Sequence, residues 1–145
     1  MRITSPAFAD GGSIPAKFTA DGGDISPPLE IGGVPAAAKS LVLIVDDPDA
    51  PRGTWNHWLL WNIVPGITQI AEGTAPSGAA AGRNDFGETN YRGPSPPSGT
   101  HRYFFRLLAL DTTLDLKAGS TRAKLDRAMQ GHVMAEAVLM GRYGR

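Results

Sequence analysis

The sequence contains no cysteine and no apolar run long enough to cross a membrane. Without cysteine there can be no disulfide framework, no thiolate nucleophile and no cysteine-ligated zinc. The N-terminal stretch MRITSPAFADGGSIP has one arginine and lacks the apolar segment that a signal peptide requires. We therefore expect a cytoplasmic protein with no integral membrane segment.

An excess of charge of either sign is also missing, because 14 Lys and Arg balance 14 Asp and Glu. A nucleic-acid binder that relies on a broad basic field is therefore not expected. The sequence has neither a Walker-type loop nor a dinucleotide fingerprint, so we predict no cofactor. A local anion site remains compatible with this composition, since a pocket needs only a few donors.

Glycine and proline are abundant, with 18 and 12 residues, and they are scattered along the chain as GG, PP, PG and GP pairs. Such punctuation favours many short elements joined by tight turns, which is typical of a β-rich protein. The chain has 145 residues, of which 41% are hydrophobic. This size and composition predict a single domain over residues 1–145 with one packed core.

Three apolar segments predict strong strands: KSLVLIVDD, which is continuous and typical of a strand buried on both faces, NHWLLWNIV and HRYFFRLLALD. The segment STRAKLDRAMQGH predicts a helix capped by Ser120 or Thr121 and stopped by Gly131. The tail VMAEAVLMGRY after that stop is interpreted as a closing strand. Residues 71–100 are poor in aliphatic side chains and predict a long irregular stretch. The expected fold is mostly antiparallel β, with one or two helices near the C-terminus.

One acid and two histidines lie at predicted strand ends. Asp47 ends the first strong strand, His57 begins the second and His101 begins the third. If these strands share one end of a sheet, the three side chains converge there, where irregular loops often place polar groups on a rigid scaffold.

Each of these features also has a purely structural interpretation. A histidine at a strand start is usually a surface residue, and DPDAP by itself is a good turn. Asp46, Asp49 and Asn56 are interpreted as structural, and His132 as a residue that caps the helix stop. The three tryptophans are expected mainly in the core, on alternating faces of their strand. They are Trp55, Trp58 and Trp61.

The residue types alone are compatible with three kinds of chemistry. Two imidazoles and an acid can hold an anion, with the acid fixing a tautomer. They can also form a two-histidine, one-carboxylate metal site. A hydrolase would need a nucleophile, and the nearby Ser95 lies in GPSPP rather than in a nucleophile elbow. The hydrolase is therefore the weakest of the three interpretations.

Several motifs resemble the phosphatidylethanolamine-binding protein family, also called the Raf kinase inhibitor-like family. The motifs are DDPDAP, WNHWLLWNI, GRNDFG and YRGPSPPSGTHRYFFRLLALD, and the N-terminal FADGGSIPAKFTADGGDISPPLEIGGVP matches the prokaryotic YbhB/YbcL branch. This resemblance implies a sandwich of two antiparallel sheets with a small anion pocket. It also implies a non-enzymatic protein that binds phosphate, phosphoryl head groups or carboxylates and regulates a kinase or another protein partner. A homodimer is the expected oligomer, and a metal-dependent enzyme is the alternative function.

Position by position, the resemblance assigns the pocket to residues of three segments. The acid and the two histidines come first, and a tyrosine follows the second histidine. The Gly-Pro-rich wall and the rim complete the set: Asp47, His57, His101, Tyr103, Tyr91, Gly93, Ser95, Pro97, Trp55 and Pro51. His101 and Tyr103 are two residues apart on a strand and therefore share a face. We expect Asp47 to pair with a histidine and favour its protonated form, which suits an anionic ligand.

Overall fold

The computed structural model describes residues 1–145 and contains eight strands and one α-helix. The strands are β1 (Arg2–Thr4), β2 (Leu29–Gly32), β3 (Ser40–Asp47), β4 (Trp55–Ile63), β5 (Gln69–Ile70), β6 (Ala80–Ala81), β7 (Thr100–Leu110) and β8 (Val133–Gly144). The helix α1 is Arg122–Met129, and a single 3₁₀ turn covers Ala16–Phe18. No helix has both the length and the apolar character needed to cross a membrane.

The strands form two sheets in which every pair of neighbours is antiparallel. The larger sheet has the order β6-β4-β3-β7-β8 and the smaller one the order β1-β2-β5. The predicted fold class, a mostly β sandwich of two antiparallel sheets with a short helix near the C-terminus, is confirmed. The three strong strands form the centre of the larger sheet, with bounds within one residue of the predicted ones.

The larger sheet is covered on both faces, which explains why β3 is a continuous apolar run. On one face, Leu41, Leu43 and Val45 belong to a cluster of 20 buried residues that lies between the two sheets. On the other face, Val42 and Ile44 belong to a cluster of 9 buried residues beneath α1. Successive side chains of a strand point to opposite faces, so a strand buried on both sides has no polar alternation.

The C-terminal part follows the sequence pattern. The helix begins after Thr121, although no Thr121 side-chain hydrogen bond caps it, and Gly131 beyond its end has a φ of 80°. A positive φ is easily adopted by glycine, which accounts for the stop. The tail after it is β8, paired with β7 along nearly its whole length. Residues 71–100 hold only the two-residue strand β6 and the first residue of β7, so the predicted irregular stretch is observed.

Candidate functional site

The two histidines and the acid meet at one end of the larger sheet. Because β3 is antiparallel to both β4 and β7, its last residues lie beside the first residues of those strands. Asp47 ends β3, while His57 and His101 lie near the beginnings of β4 and β7. The structure therefore brings together three residues that are up to 54 positions apart in the chain.

Asp47 and His101 form a buried pair. The Nδ1 atom of His101 lies 2.7 Å from Oδ2 of Asp47, and the two residues are only 8% and 3% exposed. The other oxygen of Asp47 accepts a hydrogen bond from the backbone N–H of Asp49 at 2.8 Å. A carboxylate has no hydrogen to give, so Nδ1 of His101 carries the proton in this bond. The expected pairing of Asp47 with a histidine is therefore present, and His101 is the partner.

His57 occupies a β-bulge. Val45 pairs with Trp58 and Asp46 pairs with Asn56, so His57 has no partner residue on β3. An inserted residue interrupts the alternation of side chains along a strand. The His57 ring consequently lies against Tyr103, on the same face of the sheet as the buried Trp58.

The bulged histidine is held by a backbone carbonyl. Nδ1 of His57 lies 2.6 Å from the carbonyl oxygen of Arg92, and the rings of Phe86 and Tyr103 pack against the imidazole edge-to-face. Burial lowers the pKa of His57 below its ordinary value, and the carbonyl of Arg92 opposes that change only in part. The environment therefore favours the neutral imidazole.

Tyr103 forms the floor between the two histidines. Its ring stacks on His101 at a centroid distance of 6.5 Å and meets His57 at 5.4 Å. Burial, together with the nearby Asp47 carboxylate, raises the pKa of Tyr103. The phenol therefore keeps its proton in the neutral pH range and can act as both donor and acceptor.

Each histidine leaves one nitrogen without a protein partner. The Nδ1 atoms are used by Arg92 and Asp47, and neither Nε2 atom of His57 or His101 has a hydrogen bond within the protein. No fully buried side-chain nitrogen or oxygen lacks a partner, so both Nε2 atoms must retain contact with solvent. Since both residues line the same cavity, these nitrogens face it.

The cavity has a volume of about 430 Å³ and is bounded by the three strand ends and two proline-rich loops. Eight of the predicted site residues line it: Asp47, His57, His101, Tyr103, Ser95, Pro97, Trp55 and Pro51. Four further lining residues were not predicted: Ala50, Arg52, Phe86 and Pro96. Ala50, Arg52 and Pro96 are chain neighbours of predicted residues, and Phe86 lies in the motif GRNDFG. The sequence shows the motifs that contain these four residues, but it does not show that their side chains line the cavity.

Two of the predicted site residues do not line this cavity. The hydroxyl of Tyr91 donates to the carbonyl of Phe18 at 2.7 Å, and burial raises the pKa of that hydroxyl. The N–H of Gly93 donates to Oδ1 of Asp24 at 2.7 Å, and a Cβ on Gly93 would overlap the Phe18 carbonyl oxygen. Both residues hold the loop whose Arg92 carbonyl positions His57, so they support the site from behind.

The neighbouring polar residues have structural roles, as interpreted from the sequence. Asp46 accepts from Arg106 and Arg122, each at 3.0 Å. Asp49 binds Arg102 at 2.8 Å, and this guanidinium lowers the pKa of Asp49 to about 2. On the side of the sheet that faces α1, the side chain of Asn56 donates to Asp85 and accepts from Arg122.

The contacts do not assemble the other two chemistries considered from the sequence. No group of three His, Asp or Glu side chains is close enough to hold a metal ion. Ser95 is exposed and its hydroxyl makes no hydrogen bond to either histidine. What the arrangement offers is a pair of unpartnered imidazole nitrogens and a phenol at the base of a small cavity.

The chain matches a family model described as phosphatidylethanolamine-binding protein over residues 4–144. Among curated relatives, a UPF0098 protein of Methanothermobacter thermautotrophicus is 53% identical over 150 residues, covering 100% of this chain and 99% of that protein. A UPF0098 protein of Chlamydia trachomatis is 47% identical over 148 residues, covering 99% and 98%.

Two solved structures are similar along the whole chain. One is reported as a phosphatidylethanolamine-binding protein homologue from Chlamydia trachomatis, with a TM-score of 0.95, 45% identity, and coverage of 99% of this chain and 97% of that one. The other is YbcL of E. coli, reported as a member of the mammalian family, with a TM-score of 0.92, 31% identity, and coverage of 99% and 98%.

Proposed function

The chain belongs to the phosphatidylethanolamine-binding protein family, and from this premise we propose that it is a non-enzymatic binding protein whose pocket takes small phosphoryl or carboxylate anions. The observation that carries the proposal is the pair of Nε2 atoms of His57 and His101, which have no protein partner and open into one cavity. Small-molecule sites are usually cavities with a few polar groups that converge on the ligand, so two unpartnered nitrogens in one cavity suit a polar ligand.

The electrostatics of the cavity support an anion. His101 in its imidazolium form donates from Nε2, while the carboxylate of Asp47 balances the added charge at 2.7 Å. Arg52 lies at the rim and forms no ion pair with an acidic residue, so its guanidinium is free to approach a ligand. The proton of Tyr103 supplies another donor at the floor. These groups are few, so we expect affinities in the micromolar to millimolar range, roughly −4 to −8 kcal/mol.

The proposal omits catalysis because the pocket offers no activated nucleophile. Ser95 has no bond to a histidine, and the Nδ1 atoms of both histidines are already engaged. Regulation of a kinase or another protein partner, a homodimer and a cytoplasmic location stay predictions from the sequence and its resemblance.

The test is a titration followed by the NMR signals of the histidine side chains. Inorganic phosphate, phosphoethanolamine and acetate are added separately to the protein at constant ionic strength. We expect the His57 and His101 signals to shift and to reach saturation, while the signals of His132 stay in place. His132 does not line the cavity, and its Nδ1 lies 2.8 Å from Oδ1 of Asp111. If all three ligands leave His57 and His101 unchanged at millimolar concentration, the proposed function is wrong.

A further inference from the structure

We propose that the pocket selects a phosphoryl group that carries a proton, so that its P–OH donates to Nε2 of His57 while its other oxygens accept from His101 and Tyr103. This inference rests on the proposed function and specifies its ligand class. The class is a phosphomonoester or inorganic phosphate, in contrast to a phosphodiester or another oxyanion without a proton.

The tautomer of His57 is the first step. A backbone carbonyl can only accept, so the 2.6 Å contact with the Arg92 oxygen requires the proton to be on Nδ1. A neutral imidazole has one N–H group, and its other nitrogen is an acceptor. The pocket nitrogen Nε2 of His57 is therefore an acceptor whenever the ring is neutral.

The neutral form is the one that the surroundings favour. Three carboxylates act on His57 and stabilise its cation: Asp47, Asp24 and Asp46. Each has its own partner, respectively His101, Arg92 and the pair Arg106 and Arg122. The other neighbours are the neutral rings of Phe86 and Tyr103. Desolvation is the largest influence and lowers the pKa of His57.

The second histidine has the opposite role. Nδ1 of His101 faces a carboxylate, so a second proton on Nε2 creates a compensated ion pair and a donor that faces the cavity. The two imidazoles thus differ. The carbonyl of Arg92 fixes His57 so that its Nε2 accepts, whereas the carboxylate of Asp47 supports a His101 whose Nε2 donates. The site has one acceptor position as well as donors.

This polarity discriminates among oxyanions of similar shape. An unprotonated oxygen placed at Nε2 of His57 sets two lone pairs against each other, and a desolvated group left without its hydrogen bond is costly. A phosphoryl group with one P–OH satisfies both histidines at once. Sulfate and phosphodiesters have no proton to give near neutral pH, so they leave the His57 acceptor unsatisfied.

The decisive experiment compares phosphate with sulfate on the wild-type protein by NMR titration at matched ionic strength. The pH is about 6, close to the second pKa of a phosphomonoester, so about half of a monoester carries a P–OH, and inorganic phosphate carries at least one in each of its forms near this pH. We expect phosphate to bind about 10–100-fold more tightly, as a lost buried hydrogen bond predicts. Sulfate has at least as much negative charge as phosphate at this pH, so charge alone would favour the opposite order.

A second arm distinguishes the source of the phosphoryl group. Methyl phosphate represents a free monoester, and dimethyl phosphate represents the diester linkage of a phospholipid head group. We expect the monoester to bind and the diester to bind at least about tenfold more weakly, for the same hydrogen-bond reason. Equal affinities in both pairs of ligands would overturn the inference and leave the proposed function standing. Absence of any response to all four ligands would overturn both.

The variant His57→Gln tests the residue itself. A glutamine amide can turn either its oxygen or its nitrogen towards the ligand, so the ratio of phosphate to sulfate affinity should fall close to one. The matched control is His132→Gln, which changes a half-exposed histidine outside the cavity and should keep the wild-type ratio. If His57→Gln is folded and retains the wild-type preference, His57 is not the acceptor. If the variant does not fold, the wild-type comparison of phosphate with sulfate still decides.

Discussion

At one end of the larger sheet, each face carries a buried aspartate, and the two aspartates have different partners. Asp46 and Asp47 are consecutive residues at the end of β3 and are equally buried, at 2% and 3% exposure. On the face covered by α1, Asp46 binds Arg106 and Arg122. On the pocket face, Asp47 binds His101. The first acid is paired with permanent cations, and the second with a group that can exchange its proton.

The difference shows what separates a structural polar cluster from a candidate binding site. A cavity also lies on the helix face, but its arginines and Asp46 hydrogen-bond to one another. On the pocket face each imidazole uses one nitrogen for the protein and directs the other to solvent. An imidazole with one nitrogen bonded to the protein can therefore bind a ligand with the other. The ion pairs of Asp46 with Arg106 and Arg122 leave no comparable group free, and they hold the helix in place.

The largest expected effect is the loss of stability in Asp46→Asn. Removing one partner from a buried ion cluster leaves charges uncompensated. Arg106 and Arg122 retain partial contact with solvent, so we expect a loss of about 2 kcal/mol in the free energy of unfolding, below the full cost of a buried pair. Urea denaturation measures it. Phosphate affinity should stay unchanged, and a fall in affinity would show that the two faces are not independent.

The matched change on the other face, Asp47→Asn, should mainly affect binding. The variant removes the negative charge that faces Nδ1 of His101, so a charged His101 that donates to the ligand is no longer compensated by its partner. We expect phosphate affinity to fall about tenfold, which corresponds to about 1.4 kcal/mol. The loss of stability should be about 1 kcal/mol, since the single amide oxygen can accept from only one of the two present donors, Nδ1 of His101 or the N–H of Asp49. Titration calorimetry and urea denaturation together measure both effects. A stability loss larger than that of Asp46→Asn would contradict the comparison.

The ligand-free protein should lose stability as the pH falls below 6.5. Burial lowers the pKa of His57 below 6.5, so the unfolded chain takes up a proton at higher pH than the folded protein does. Stability from this residue is therefore complete above 6.5 and declines towards the lower folded pKa. Thermal unfolding over a pH series should show a shallower decline for His57→Gln than for the wild type. Parallel curves would mean that His57 is not held in its neutral form.

The smallest effect is expected for Arg102→Ala. This variant removes the ion pair of Arg102 with Asp49, which resembles the acid–arginine contacts of Asp46 but lies at the surface. Arg102 forms two short bonds to the carboxylate of Asp49, but its side chain is 48% exposed. Surface ion pairs contribute little because water screens them, so we expect only a small loss in the free energy of unfolding, well below that of Asp46→Asn. Denaturation at low and high salt measures it. A loss as large as that of Asp46→Asn would show that burial is not what distinguishes these acid–arginine contacts.

Much of the fold could be predicted because its signals are local. The central strands are continuous runs of branched and aromatic residues, and the helix ends at a glycine that adopts a positive φ. The site was harder to predict. Motifs located Asp47, His57 and His101, but Tyr91 and Gly93 share their motif with pocket residues and still turn towards Phe18 and Asp24. Membership of a loop does not reveal which side of it faces a cavity.

The bulge at His57 illustrates the limit most clearly. Strict alternation along β4 would place His57 and Trp58 on opposite faces of the sheet. In the structure both lie on the side that contains Tyr103, because His57 has no partner on β3. Nothing in the letters NHW marks this irregularity, since it depends on the pairing of β4 with β3 across the sheet.

The β-rich class, the central strands and the polar residues at their ends follow from the sequence, since periodicity and turn chemistry act over short stretches of chain. The tertiary structure pairs His101 with Asp47 and places the backbone carbonyl of Arg92 against His57. It also directed Asp46 to the arginines of the helix face. These contacts depend on the register of the strands and on loops that are far from the contacted residues in the sequence, so tertiary packing determines which side chains become neighbours.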